Sequence, residues 1–194
     1  MRFSVIIPAH NASNRIHDIL NSVCKQTFSD YELIVICDAC EDNTEEIAKS
    51  YGAITKSIDA HSDGAARNIG IETAQGEYII FADDDDQFLH ECVFQQINDK
   101  LNELKNQIDV LCFSFIWKNR GYMRPKDNYG RGYWTAVWTK VWRREFVKDV
   151  KFPHTPRFSD VTFTNGVLAK HPRMAEWDVP LYYYNFKQKV IKHD

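Results

Sequence analysis

The chain has 194 residues, 44% of them hydrophobic and 26% charged, with a formal net charge of −3. A chain of this size removes about 70% of its unfolded surface from water, so one globular domain accounts for it and no second domain is needed. Five cysteines at 24, 37, 40, 92 and 112 are an odd number without framework spacing, which excludes a disulfide scaffold and predicts free thiols in a reducing compartment.

In chain order, Phe3 to Pro8 is a short apolar run that predicts a buried strand. Its Val5-Ile6-Ile7 core is too short for a signal peptide or membrane span, so a cytoplasmic protein without a transmembrane segment is expected. After Ser13, the residues Ile16, Ile19, Leu20 and Val23 follow the spacing of an amphipathic helix. Tyr31 to Cys37 reads as a second strand and ends in Cys37-Asp38-Ala39-Cys40. No second CxxC or paired His completes a zinc site, so this pair reads as a strand-end thiol and a loop residue. Ala53 to Ile58 predicts a third strand. Asp63 to Gly70 begins a helix with small residues that let a backbone or ligand approach closely, and it carries Arg67, a candidate for phosphate or base contact. Glu77 to Ala82 is a fourth strand, running into Asp83-Asp84-Asp85-Asp86. Leu89, Val93, Ile97, Leu101 and Leu104 mark another helix, and Ile108 to Ile116 a fifth strand. From Trp117 onward, mixed strands and short helices follow.

Strands alternating with helices predict right-handed crossovers and an α/β fold with a mainly parallel central sheet flanked by helices. Such a sheet binds ligands beyond the carboxyl ends of its strands. The loops Pro8-Ala9-His10-Asn11, Asp38 to Asn43 and Asp83 to Asp86 should converge there. Four consecutive carboxylates repel one another, and a cation relieves that repulsion. Hard oxygen donors suit Mg²⁺ or Mn²⁺, while a solvated acidic turn is the plain alternative. Neither GxGxxG nor GxxxxGK[ST] is present, which removes the dehydrogenase and kinase readings.

These motifs, taken in order, resemble the glycosyltransferases of family 2 with the GT-A fold. Val5 to Asn11 is similar to the family's opening strand and turn, and Tyr31 to Thr44 to its second strand. Gly64 to Asn68 resembles its GxxxARN-type helix start, Asp83 to Asp86 its DXD motif, Trp138 to Arg144 the stretch leading to the acceptor side, and Pro180 to Tyr184 its late strand. The resemblance implies one GT-A domain over 1–194, with a nucleotide-sugar-binding half at 1–116 and an acceptor-side half at 117–194. It implies that Pro8, Ala9, His10 and Asn11 surround the nucleobase, that Asp38 accepts from it, and that Arg67 supports base or phosphate. Asp83 and Asp84 would contact the nucleotide sugar, with Asp83 on the ribose, and Asp85 would ligate Mn²⁺ or Mg²⁺. Asp160 would be the general base, with Ser159 standing where the family has glutamate. The implied reaction is inverting transfer from a nucleotide sugar, a UDP-sugar first, to a glycan or lipid-linked acceptor. A helix N-cap is the other reading of Asp160. A nucleotidylyltransferase or a nucleotide-binding module without turnover remain as other classes.

From Lys118 to Arg157 eleven basic and three acidic residues give +8, interleaved with Tyr122, Tyr129, Tyr133, Trp134, Trp138, Trp142, Phe146 and Phe152. A basic, aromatic surface over 117–157 would suit an anionic acceptor, including a nucleic acid such as modified DNA. Core aromatics rimmed by solvated cations are the alternative.

Overall fold

The structure is a computed structural model and describes residues 1–126, 133–155 and 159–185. Its strands are β1 (Phe3–Ala9), β2 (Tyr31–Asp38), β3 (Ile54–Ile58), β4 (Tyr78–Phe81), β5 (Gln87–Phe88), β6 (Val110–Trp117), β7 (Gly121–Met123), β8 (Lys140–Arg143) and β9 (Met174–Tyr184). Its helices are α1 (Ile16–Cys24), α2 (Thr44–Ser50), α3 (Asp63–Thr73), α4 (Val93–Glu103), α5 (Arg144–Val147) and α6 (Ser159–Leu168), with a 3-10 turn at Val137–Thr139.

All the described strands form one sheet in the order β3-β2-β1-β4-β8-β6-β9-β5, with β7 paired to β6. The first four are parallel, as the alternation of strand and helix predicts. Beyond β4 the sheet is mixed. β8 runs antiparallel to both β4 and β6, whereas β9 is parallel to β6. Period-2 alternation divides the core. Phe3, Val5 and Ile7 of β1 pack on one face with α1 and α4, while Ile6 packs on the other with Ile34, Ile36 and Phe81. The expected helical stripe is present, since Ile16, Ile19, Leu20 and Val23 are the buried residues of α1. The third strand, β3, lies at the edge of the sheet and exposes Ile54.

The fit of α3 onto the sheet explains its small residues. A Cβ at Gly70 would lie 2.3 Å from Ile6 Cγ2, and one at Gly64 would lie 2.4 Å from the Pro153 carbonyl oxygen. Asn68 fixes the same crossing, because its side-chain amide donates to the Phe152 carbonyl and accepts from the Phe152 N–H, each at 2.9 Å. Both hydrogen-bonding groups of Phe152 are thereby satisfied away from water.

Candidate active site

The loops after β1, β2 and β4 do meet at the carboxyl ends of the parallel strands. Pro8 and Ala9 end β1 and are buried, so they back the loop, and His10 and Asn11 are its exposed residues. His10 Nδ1 lies 2.7 Å from the Asp38 carbonyl oxygen. A carbonyl only accepts, so Nδ1 carries the proton and Nε2 faces the Asn11 amide. Asn11 takes a left-handed φ of 45°, and its Oδ1 accepts from the Glu41 N–H.

Asp38 is 4% exposed, and its carboxylate accepts from the backbone N–H groups of Ala60, His61 and Ser62 at 2.7, 3.0 and 2.5 Å. It therefore organises the entry to α3, a task the resemblance does not imply. Ser62 then caps α3 by accepting from the Ala65 N–H.

The four consecutive aspartates have four environments. Asp83 accepts from Arg67 Nη2 at 2.8 Å. Asp84 forms a two-point pair with Arg15, both contacts at 2.8 Å, and the same guanidinium donates to the carbonyls of His10 and Asn11. Asp84 thus ties two loops together through Arg15. Asp86 is 1% exposed and accepts from the Tyr182 hydroxyl and the Asn185 N–H. Tyr182 also accepts from the Asp83 N–H, so β9 holds the acidic turn from below. Burial, with Asp83 nearby, pushes the Asp86 carboxyl up to about 8. Among the described residues the Asp85 carboxylate makes no hydrogen bond or ion pair; only its carbonyl accepts, from Asn185. Arg15 was missed by the sequence reading, and the pairing of Asp86 with Tyr182 was not foreseen. The first carries no motif, and the other two act through contacts across 96 to 99 positions of chain.

Arg67 joins the two halves of the site. It is 4% exposed, its Nη1 lies 3.2 Å from Asp160 Oδ1, and its guanidinium sits 5.7 Å from the centre of the Phe152 ring. Burial raises the Asp83 carboxyl, Arg67 draws it down, and Asp160 adds to the rise. Asp160 lies in the first turn of α6, and its Oδ2 accepts from the Val137 N–H at 3.2 Å. It bonds across to another segment, which a simple N-cap would not do. An open cleft of about 400 Å³ lies here, and Asp63, Arg67, Asp83 and Asp160 line it together with Phe115, Trp117, Trp134, Trp138 and Tyr184.

No group of three metal-ligating side chains is preassembled among the described residues. The donor set nevertheless fits a hard cation that takes one or two carboxylates and completes its shell with phosphate and water, and Asp85 is the uncommitted carboxylate of the run. The CxxC pair fits no redox role. Burial and the neighbouring Cys40 push Cys37 up to about 12, and the Cys40 thiol donates to the Ala9 carbonyl.

The basic stretch does not form one surface. Lys140 is 1% exposed and donates to the carbonyls of Trp134 and Ala136 and to Thr139 Oγ1. Burial lowers it to about 8. Arg143 and Arg144 lie beside Tyr78 and Glu77, at the amino end of β4, and pair with Glu77 and the Gly76 carbonyl. That is the edge of the sheet opposite the aspartates. Trp142 and Phe152 are core, while Asp127, Tyr129, Arg131 and Arg157 lie outside the described residues. An extended anionic or nucleic-acid acceptor laid across 117–157 is therefore not supported.

Residues 4–164 match the profile of Glycosyl transferase family 2. The chain is 30% identical over 163 residues to the uncharacterized glycosyltransferase EpsJ of Bacillus subtilis, covering 80% of this chain and 44% of EpsJ. It is 34% identical over 94 residues to the poly(ribitol-phosphate) beta-N-acetylglucosaminyltransferase TarS of Staphylococcus aureus, covering 44% of this chain and 16% of TarS. The fold superposes on crystalline TarS bound to UDP with a TM-score of 0.81 at 24% identity, over 94% of this chain and 60% of that one. It superposes on the mannosyltransferase PcManGT of Pyrobaculum calidifontis, bound to GDP-Man and Mn²⁺, with a TM-score of 0.76 at 14% identity, over 97% of this chain and 58% of that one. The chain thus spans less than half the length of these curated relatives. No described helix is long and apolar enough to cross a membrane.

Proposed function

The chain belongs to glycosyl transferase family 2, and from that premise we propose that it transfers a sugar, with inversion, from a UDP-linked donor to an acceptor hydroxyl on a glycan or lipid-linked saccharide. The observation that carries this reading is the Arg67 bridge, which sets an acidic-loop carboxylate and a helix-borne carboxylate in a single cleft.

Asp160 Oδ2 accepts one hydrogen bond, from the Val137 N–H, and Oδ1 pairs with Arg67 at 3.2 Å, so of the about four acceptor directions of a carboxylate some remain. A remaining lone pair takes the proton of the acceptor hydroxyl as that oxygen bonds to the anomeric carbon. The bond to the diphosphate breaks on the opposite face, and its electron pair leaves with the diphosphate. A divalent cation held by Asp85 would stabilise the charge developing on that leaving group. Arg67 holds Asp160 and Asp83 in register, so the reacting groups meet without a search. His10 and the last acceptor direction of Asp38 are the groups offered to the nucleobase, and Asp83 is offered to the ribose. The five free thiols support a reducing compartment such as the cytoplasm.

The test is turnover with UDP-, GDP- and TDP-sugars in the presence of Mn²⁺, read as diphosphate release. Asp160→Asn should lower kcat by about 10² or more and leave UDP affinity unchanged. Equal loss of UDP affinity would remove Asp160 from the role of base.

A further inference from the structure

The cleft that holds Asp160 is also lined by aromatic side chains, and one of them is tethered at several points. The indole N–H of Trp134 donates to the Arg124 carbonyl at 2.9 Å, and its ring meets Phe115 and Trp117 edge to face at 5.6 and 6.2 Å. Its backbone is tethered too. The Trp134 carbonyl accepts from the buried Lys140 ammonium, and the Thr135 carbonyl accepts from Thr164 Oγ1 at 2.8 Å. Thr164 and Asp160 both belong to α6, and Asp160 in turn accepts from the Val137 N–H. Two hydrogen bonds therefore staple the segment bearing Trp134 to the helix bearing Asp160.

We infer that Trp134 is the platform on which a neutral pyranose ring of the acceptor stacks while its hydroxyl is presented to Asp160. This rests on the glycosyl-transfer reading of the same cleft. A pyranose has an apolar C–H face and a hydroxyl edge, so it satisfies aromatic and carboxylate linings together. Charge decides against a phosphate-rich acceptor at this subsite. Among the described residues, three carboxylates, Asp63, Asp83 and Asp160, line the cleft with the guanidinium of Arg67, which is already shared between two of them. Lys140, which donates to the Trp134 backbone carbonyl, is buried and turned onto carbonyls. An anion entering here would meet net negative potential, whereas a neutral ring does not. A locked indole also loses little freedom when a ring docks on it.

The probe is methyl β-D-glucopyranoside, whose axial H1, H3 and H5 make a flat apolar face. It is added to the whole chain with UDP and Mn²⁺ present, and binding is read by saturation-transfer NMR. The expected result is strongest transfer to H1, H3 and H5, with affinity falling ~5–10-fold in Trp134→Ala and less in Trp134→Phe. Calorimetric UDP affinity should be the same in all three proteins. Trp134→Phe keeps the test valid if the alanine variant unfolds, because it retains a smaller ring. Uniform saturation of all glucoside protons, no transfer at all, or transfer indifferent to Trp134 would overturn the inference while leaving the transferase reading in place. Tighter binding of D-ribitol 5-phosphate than of the glucoside, unchanged in Trp134→Ala, would also overturn it. Failure of the unaltered chain to bind UDP with Mn²⁺ would remove the transferase reading and the inference with it.

Discussion

Asp84 and Asp85 are adjacent in sequence and opposite in consequence. Asp84 neutralises Arg15, and Asp84→Ala strands that guanidinium beside two carbonyls. Arg15 is a third exposed, so the cost is expected at about 1–2 kcal/mol, below that of a fully buried pair, and urea unfolding measures it. Asp85→Ala, by contrast, removes a carboxylate without a partner and relieves repulsion within the run. The metal-free melting temperature should hold or rise, while the Mn²⁺-induced shift and turnover disappear. A lower metal-free melting temperature would contradict this assignment. Arg67 gives a pH-dependent prediction. It opposes the burial that raises Asp83, so in Arg67→Met the Asp83 carboxyl rises further and is protonated at pH values where it now carries charge. UDP affinity with Mn²⁺ should then collapse at a higher pH on the acid side than in the unaltered chain. Arg67→Lys should restore this only in part, since one ammonium cannot reproduce the fork that reaches both Asp83 and Asp160.

At the scale of the element, α3 was legible as a helix whose small residues invite close approach. What approaches was not. The Gly64 position is filled by the Pro153 carbonyl and the Gly70 position by Ile6, partners 89 and 64 positions away in the chain. Gly64→Ala must push backbone rather than a flexible side chain, and it should cost about 1–3 kcal/mol. It should also lower turnover, since displacing the first turn of α3 moves Arg67. Gly166→Ala in α6 is the control. Its nearest new contact is Val150 Cγ1 at 3.1 Å, a side chain that can yield, and helix propensity favours Ala by about 1 kcal/mol. Denaturant midpoints that place Gly166→Ala below Gly64→Ala would contradict the account of this packing.

At the scale of the molecule, buried carboxyls set the pH response. Asp86, raised to about 8, holds a proton in the folded protein that it would release when unfolded near neutral pH. The folded state then binds more protons, so stability falls as pH rises from about 4 to about 8. Asp42 and Glu45 work the other way. Burial raises Asp42, but hydrogen bonds from Thr44 and Ser13 hold it down to about 2, and Lys49 does the same for Glu45, so their contribution is lost only below about pH 4. The metal-free chain should melt higher at pH 5.5 than at pH 8, with each ~1 kcal/mol worth about 2–4 °C in a domain this size. Asp86→Asn should flatten that slope, and a melting temperature that climbs from pH 5.5 to 8 would refute it. Charge reversal at Arg143 should lower stability, through its contacts with Glu77, Asp109 and Tyr78, without altering acceptor kinetics. By itself the sequence determined the parallel half of the sheet, the stripe of α1 and the placing of three polar loops at the strand ends, because apolar period and run length are local properties. Tertiary structure decided which aspartate is paired with Arg15, which is buried under Tyr182 and which is left over, and it split the basic stretch between opposite edges of the sheet. Those outcomes depend on side-chain directions that alternate along each strand and on contacts between residues 16 to 99 positions apart, which no window along the chain contains.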